Sequence, residues 1–178
     1  MLEALMRPFV FWRLRAFERR YDYSMDYARG LFDASPQAFF QYAKLLGMAG
    51  FAQDCSADML TAVRFAATLQ EDCGPCSQLM LDMGQEAGVS DAALQALIAG
   101  DEAAMPAQMA LAWRYAQAAL RHDPALAQLS EELRQQHGPR ALASLALALV
   151  TARSFPTLKY ALGQGQACQR LTIKKGTA

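Results

Sequence analysis

The chain has 178 residues, enough for one domain with a sizeable core, and 53% hydrophobic against 19% charged residues excludes a disordered chain. Lysine plus arginine equals aspartate plus glutamate at 17 each, so no net charge draws it towards nucleic acid or an acidic surface. No apolar run reaches the roughly 20 residues of a membrane span. The apolar start is broken by Arg7, Arg13 and Arg15 with no cleavage site after it, so the chain reads as cytoplasmic.

Helix signals recur throughout and strand signals hardly appear. Pro8 is placed to open a first helix through about Tyr23, with Phe9, Trp12, Leu14 and Phe17 among its apolar positions. Its arginines and aromatics invite an RNA or membrane-surface reading, but acids are interspersed, and an oligomer arm is favoured. Ser24 suits the cap of a short helix over "MDYARGLF". Ser35-Pro36 is a cap followed by proline at the first helical position of "QAFFQYAKLLGMAG". Ser56 suits the cap of "ADMLTAVRFAATLQED", where Leu60, Val63 and Ala67 share a face.

Cys73-Gly74-Pro75-Cys76 follows. Pro75 belongs in the first turn of a helix to about Ala87, with Gly88 as its stop. Ser90 caps "DAALQALIAG", Pro106 opens a helix to about Arg121, and Asp123-Pro124 starts "ALAQLSEELRQQ". Pro139 starts "RALASLALALVTARSF", read as a buried core helix, and Pro156 is expected to break or kink it. The periodicity predicts an all-α, single-domain multi-helix bundle of about nine helices.

The four letters of the CxxC match thioredoxin, but their setting does not. A thioredoxin places its CxxC in a βαβ arrangement, whereas the segment before Cys73 is helical in period and rich in Ala, Leu and Gln. A buried pair of small residues is the bland reading; two cysteines flanking Gly-Pro favour a redox-capable dithiol. A zinc site would need two further ligands at metal-ligand spacing, and none is present. Cys55 and Cys168 read as core or surface thiols.

A CxxC opening a helix in an all-α chain resembles the alkyl hydroperoxidase D-like and carboxymuconolactone decarboxylase family. "CGPCSQLMLDMGQEAGVSDAALQALIAGD" follows that family's rhythm of CxxC, one helix, an Ala-Gly stop and a capped short helix. "ALAWRYAQAALRHDPALAQLSEELRQQHGPRALASLALALVTARSFPTLKYALG" is similar to its second half. The resemblance implies an N-terminal helical arm over 1–34, a family-type domain over 35–165 and a tail over 166–178.

It also implies that a hydroperoxide oxidises Cys76 to the sulfenic acid and that Cys73 resolves it as a disulfide. Thioredoxin-like use would reverse the two. Peroxidase members carry a glutamate about three turns before the first cysteine and a histidine four residues after the second. Those positions fall near Thr61 and at Met80, so the acid-base relay is missing. The helix N-terminus lowers the thiol pKa, whereas Glu71 and Asp72 oppose it, leaving activation undecided.

Asp58, Thr61 and Arg64 share one side of the preceding helix as a partial substitute. Arg64 either points at the dithiol or, the favoured reading, snorkels to solvent or pairs with Asp58. His122 and His137 read as cap residues, with His137 an outside candidate for the dithiol.

The expected function is thiol-disulfide or hydroperoxidase chemistry. It uses a small hydroperoxide or disulfide, an external dithiol or protein reductant, and no metal or flavin. The resemblance adds a homo-oligomer. The runner-up is an oligomeric binding or scaffold protein with a vestigial dithiol; a third reading, lactone decarboxylation, rests on the family name alone.

Overall fold

A computed structural model describes residues 2–165 and 171–173, so Cys168 lies outside the described residues. Within them the chain is helical from end to end: α1 (Leu2–Tyr21), α2 (Asp26–Ala34), α3 (Pro36–Ala43), α4 (Leu45–Ala49), α5 (Ala57–Gln70), α6 (Gly74–Glu86), α7 (Asp91–Ala99), α8 (Ala107–Arg121), α9 (Leu126–His137) and α10 (Pro139–Ala161). No strand occurs among the described residues.

Caps account for several of the boundaries. The Ser35, Ser56 and Ser90 hydroxyls accept the backbone N–H of Ala38, Met59 and Ala93 at 3.2, 3.3 and 3.2 Å, satisfying donors that a helix start leaves orphaned. Ser24 serves a local turn instead: its hydroxyl accepts from the Asp26 N–H at 3.2 Å, and Met25 is the cap residue of α2. Gly138 joins α9 to α10 at φ 86°, a backbone conformation that a side chain would strain.

Three boundaries differ from the periodic reading. The expected single helix after Ser35 is two, because the ladder tightens at Lys44, whose N–H reaches back only to Gln41. Pro8 lies inside α1, which starts at Leu2; one missing N–H removes one bond and the helix continues. Pro156 likewise lies inside α10 and is fully buried, so its ring is retained by packing.

Two apolar clusters form the core. In the larger, α5 lies across α8 and α10, with Phe65, Val63, Leu97, Met109, Leu133 and Leu145 sealed from solvent. In the smaller, Val10 and Leu14 of α1, Tyr23, Tyr27 and Phe32 at α2, and Phe39 of α3 close over Cys73, Cys76 and Leu79 of α6. Helix α6 thus separates the clusters, and Met80 packs against both.

Among the described residues α10 is the one helix long and apolar enough to cross a membrane by length and composition. It buries a stripe of Ala141, Ser144, Leu145, Ala148, Thr151, Ala152, Pro156 and Lys159 at helical spacing, while Val150 on the other side is exposed.

Candidate functional site

The approach to the dithiol is built by three helices. After Gln70 the chain turns through Asp72 at φ 49°, and Cys73 becomes the N-cap residue of α6. The Ser77 hydroxyl donates to the Thr68 hydroxyl at 3.1 Å, and Thr68 donates back into its own helix, to the Phe65 carbonyl at 3.0 Å. This buttons the first turn of α6 to the last turn of α5.

Helix α10 holds the turn from the other side. Arg153 pairs with Glu71 at 2.7 Å, the Thr157 hydroxyl donates to the same carboxylate at 3.1 Å, and the Tyr160 hydroxyl donates to the Asp72 carbonyl at 2.7 Å. Glu71, whose charge weighs against a nearby thiolate in the sequence alone, is therefore partnered by a guanidinium.

Cys73 and Cys76 are joined as a disulfide with their Cα atoms 5.2 Å apart. Only 1% of Cys73 and 2% of Cys76 is exposed. Cys76 occupies the first turn of α6 behind Pro75, where unpaired N–H groups and the helix dipole favour an anion.

The Tyr23 hydroxyl lies 3.5 Å from Cys76 Sγ. A disulfide sulfur carries no proton, so Tyr23 is the donor. Behind it, Tyr27 belongs to the same buried cluster, and the Tyr42 hydroxyl donates to the Tyr27 hydroxyl at 3.4 Å.

Lys159 of α10, 4% exposed, places its ammonium 4.8 Å from the Tyr23 ring centre and 5.7 Å from that of Tyr27. Such placement over two rings is a cation–π arrangement. No carboxylate among the described residues pairs with it. Burial drives its pKa below the ordinary lysine value, because a desolvated cation without an anion is unfavourable. Burial also raises all three phenols, Tyr23 and Tyr42 far above the ordinary tyrosine value, so they stay protonated and able to donate.

The first two helices form a cover over this site. Arg7 of α1 pairs with Asp33 of α2 at 3.0 Å, and Arg20 and Tyr21 both reach Glu86 at the end of α6. These exposed pairs orient α1 more than they stabilise it; the burial of Val10 and Leu14 does the rest.

The other sequence-derived candidates are dispersed. Arg64 donates to the Ala49 carbonyl at 2.7 Å, and Asp58 accepts from Gln108 at 3.2 Å, so the hydrogen bond of Arg64 serves neither the dithiol nor Asp58. Thr61 is buried, facing Gly84 of α6. His137 ends α9 and is half-buried, its Nε2 buried without a hydrogen-bond partner. His122 is the left-handed cap residue that ends α8. Cys55 donates to the Ala141 carbonyl at 3.3 Å, and burial pushes its thiol pKa up, away from reactivity.

Arg64→Leu is therefore expected to cost about 1–3 kcal/mol by leaving the Ala49 carbonyl without its charged donor. Urea unfolding reads that loss, while the titration of Cys76 should not move; a moved titration would restore Arg64 to the dithiol.

Sequence reasoning missed Tyr23, Tyr27, Tyr42 and Lys159. Two signals were present: tyrosines spaced four apart at 23 and 27, and a single lysine inside the otherwise apolar "FPTLKYAL". Comparison of the chain with protein-family models, with curated proteins and with solved structures finds no match.

Proposed function

We propose that the chain is a cysteine-based thiol-disulfide redox protein that reduces small hydroperoxides, a member by resemblance of the alkyl hydroperoxidase D-like family. The observation that carries this reading is the Cys73–Cys76 pair at a helix start, enclosed by proton-bearing phenols and a buried lysine. Burial of both sulfurs favours a small substrate, since a protein disulfide would have to displace α1 and α2 to reach them.

The chemistry balances without a metal or flavin. The Cys76 thiolate attacks one peroxide oxygen, the O–O bond breaks, and the departing alkoxide takes a proton to become an alcohol. Cys76 is left as the sulfenic acid. The Cys73 thiol then attacks that sulfur, water leaves, and the disulfide closes. An external dithiol returns two electrons and two protons. Such cycling needs a reducing compartment, which is the basis for placing the protein in the cytoplasm. Phe9 and Trp12, 60% and 58% exposed on α1, support the homo-oligomer as its partner.

The near-complete burial of the sulfurs also favours a second reading, in which the disulfide is an inert cross-link in a scaffold protein. One experiment separates them. The reduced protein is treated with a limiting amount of cumene hydroperoxide, quenched in acid, denatured, alkylated and analysed by mass spectrometry. The redox reading expects rapid closure of Cys73 to Cys76, lost in Cys76→Ser and halted at a dimedone-reactive sulfenic acid in Cys73→Ser. Thiols that remain free while the peroxide persists select the cross-link.

A further inference from the structure

Two features of the pocket are unexplained by a dithiol alone. Lys159 is buried without a carboxylate, and Tyr23 points its only proton at Cys76. An isolated buried ammonium lowers stability at neutral pH: the unfolded lysine binds its proton more tightly than the folded one, so stability rises with pH between the two pKa values. A thiolate at Cys76 supplies the missing anion when the disulfide is reduced. The Tyr23 hydroxyl then faces the atom that changes charge.

We infer that Tyr23 is a catalytic residue that donates its hydrogen bond to the Cys76 thiolate and its proton to the departing alkoxide, and that Lys159 is the positioning cation that supports it. The inference rests on the hydroperoxide reading for the second of these steps only. When Cys76 ionises, its proton leaves to solvent and Tyr23 donates its hydrogen bond to the thiolate that remains. When the O–O bond breaks, Tyr23 gives its proton to the alkoxide and takes one back from solvent, so that it ends neutral. The net transfer is of one oxygen to sulfur and one proton to the alcohol. Tyr23 thereby fills the role left open by Met80, whose thioether carries no proton.

Other charges on the surrounding elements have partners or, like Arg13, Arg15 and Arg19 of α1 and Asp22 before Tyr23, are at the surface. Glu18 of α1 is paired with Arg29 of α2, as is Asp26, and Glu86 of α6 with Arg20. Glu71 in the preceding turn is paired with Arg153 of α10, and Asp82 of α6 accepts from Gln78 at 2.8 Å. Asp72 presents its carbonyl to Tyr160 and its side chain is at the surface. Among the described residues Lys159 is the buried cation left to answer a thiolate.

The test is the ultraviolet absorbance of the thiolate against pH in reduced Cys73→Ser protein, with Cys73→Ser/Cys76→Ser subtracted so that only Cys76 is read. Cys76 is expected to titrate below the free-thiol value of about 8.5. Adding Tyr23→Phe should raise the midpoint by about one pH unit, and Lys159→Met by about one to three. Lys159→Arg should restore most of the shift, which a packing role would not do. Tyr23→Phe keeps the ring, and Lys159→Met removes an unfavourable charge, so both should keep the native melting temperature or exceed it; Lys159→Gln serves as the second neutral variant.

A Cys76 midpoint above the free-thiol value, or either folded variant leaving it in place, overturns the proposal. No peroxide is used, so a failed hydroperoxide assay leaves this titration to be judged by itself.

Discussion

Phe65→Ala is expected to lower the unfolding free energy by about 3–5 kcal/mol, a large part of the roughly 5–15 kcal/mol available to a domain. Phe65 is wholly buried in α5, the helix on which α6, α8 and α10 all pack, and its ring lies 6.3 Å from that of Trp113 at a 30° tilt. Removing it leaves a cavity whose walls belong to several helices, so local collapse cannot fill it. Leu69, one turn further along α5, is 42% exposed, and Leu69→Ala should change stability by less than about 0.5–1 kcal/mol. Urea denaturation of the two variants makes the comparison. Equal losses would mean that the core is not centred on α5. The Thr68–Ser77 hydroxyl contact lies one turn from Phe65, so the Phe65 variant should also loosen the first turn of α6 and admit alkylating reagents to the reduced thiols sooner.

Gly84→Ala is expected to destabilise by about 1–3 kcal/mol, although the same change in an exposed helix gains about 1 kcal/mol from propensity. The deciding quantity is distance. A Cβ on Gly84 would lie 2.6 Å from Thr61 Cγ2 and 2.8 Å from Thr61 Oγ1. Thr61 is buried, short and branched, so α5 and α6 must separate for the methyl group to fit. Thr61→Ala removes both atoms, and the double variant should recover most of the loss, giving a coupling energy of opposite sign to the single effects. Additive losses in a thermal-melt cycle would show that the contact is not what limits position 84.

The same contact explains a feature that sequence alone leaves as a bare departure. The glutamate of the resembled pattern falls near Thr61, and at Thr61 a longer side chain would be driven into the backbone of α6. Restoring that carboxylate by Thr61→Glu is thus opposed by the helix packing.

The helical class, the caps at Ser35, Ser56 and Ser90, and the position of the CxxC at a helix start were legible because each depends on residues within a turn of one another. Prolines are less legible: Pro8 reads as a helix start yet lies inside α1, and of the two expectations for Pro156, a break or a kink, the break does not occur because α10 continues through it. Arg64 reads as serving the dithiol, solvent or Asp58, whereas its hydrogen bond caps the Ala49 carbonyl, an acceptor that exists only because α4 ends there.

By itself the sequence determined an all-α chain and a dithiol at the start of a helix, because periodicity, caps and the CxxC spacing are local properties of the chain. The tertiary structure decided what surrounds the sulfur. Tyr23, Tyr27 and Tyr42 arrive from the N-terminal segments, and Lys159 from the far end of α10. Their meeting is set by burial of an amphipathic cover over α6. Whether a phenol or a lysine becomes a proton or charge partner depends on desolvation and distance, which no residue carries along the chain.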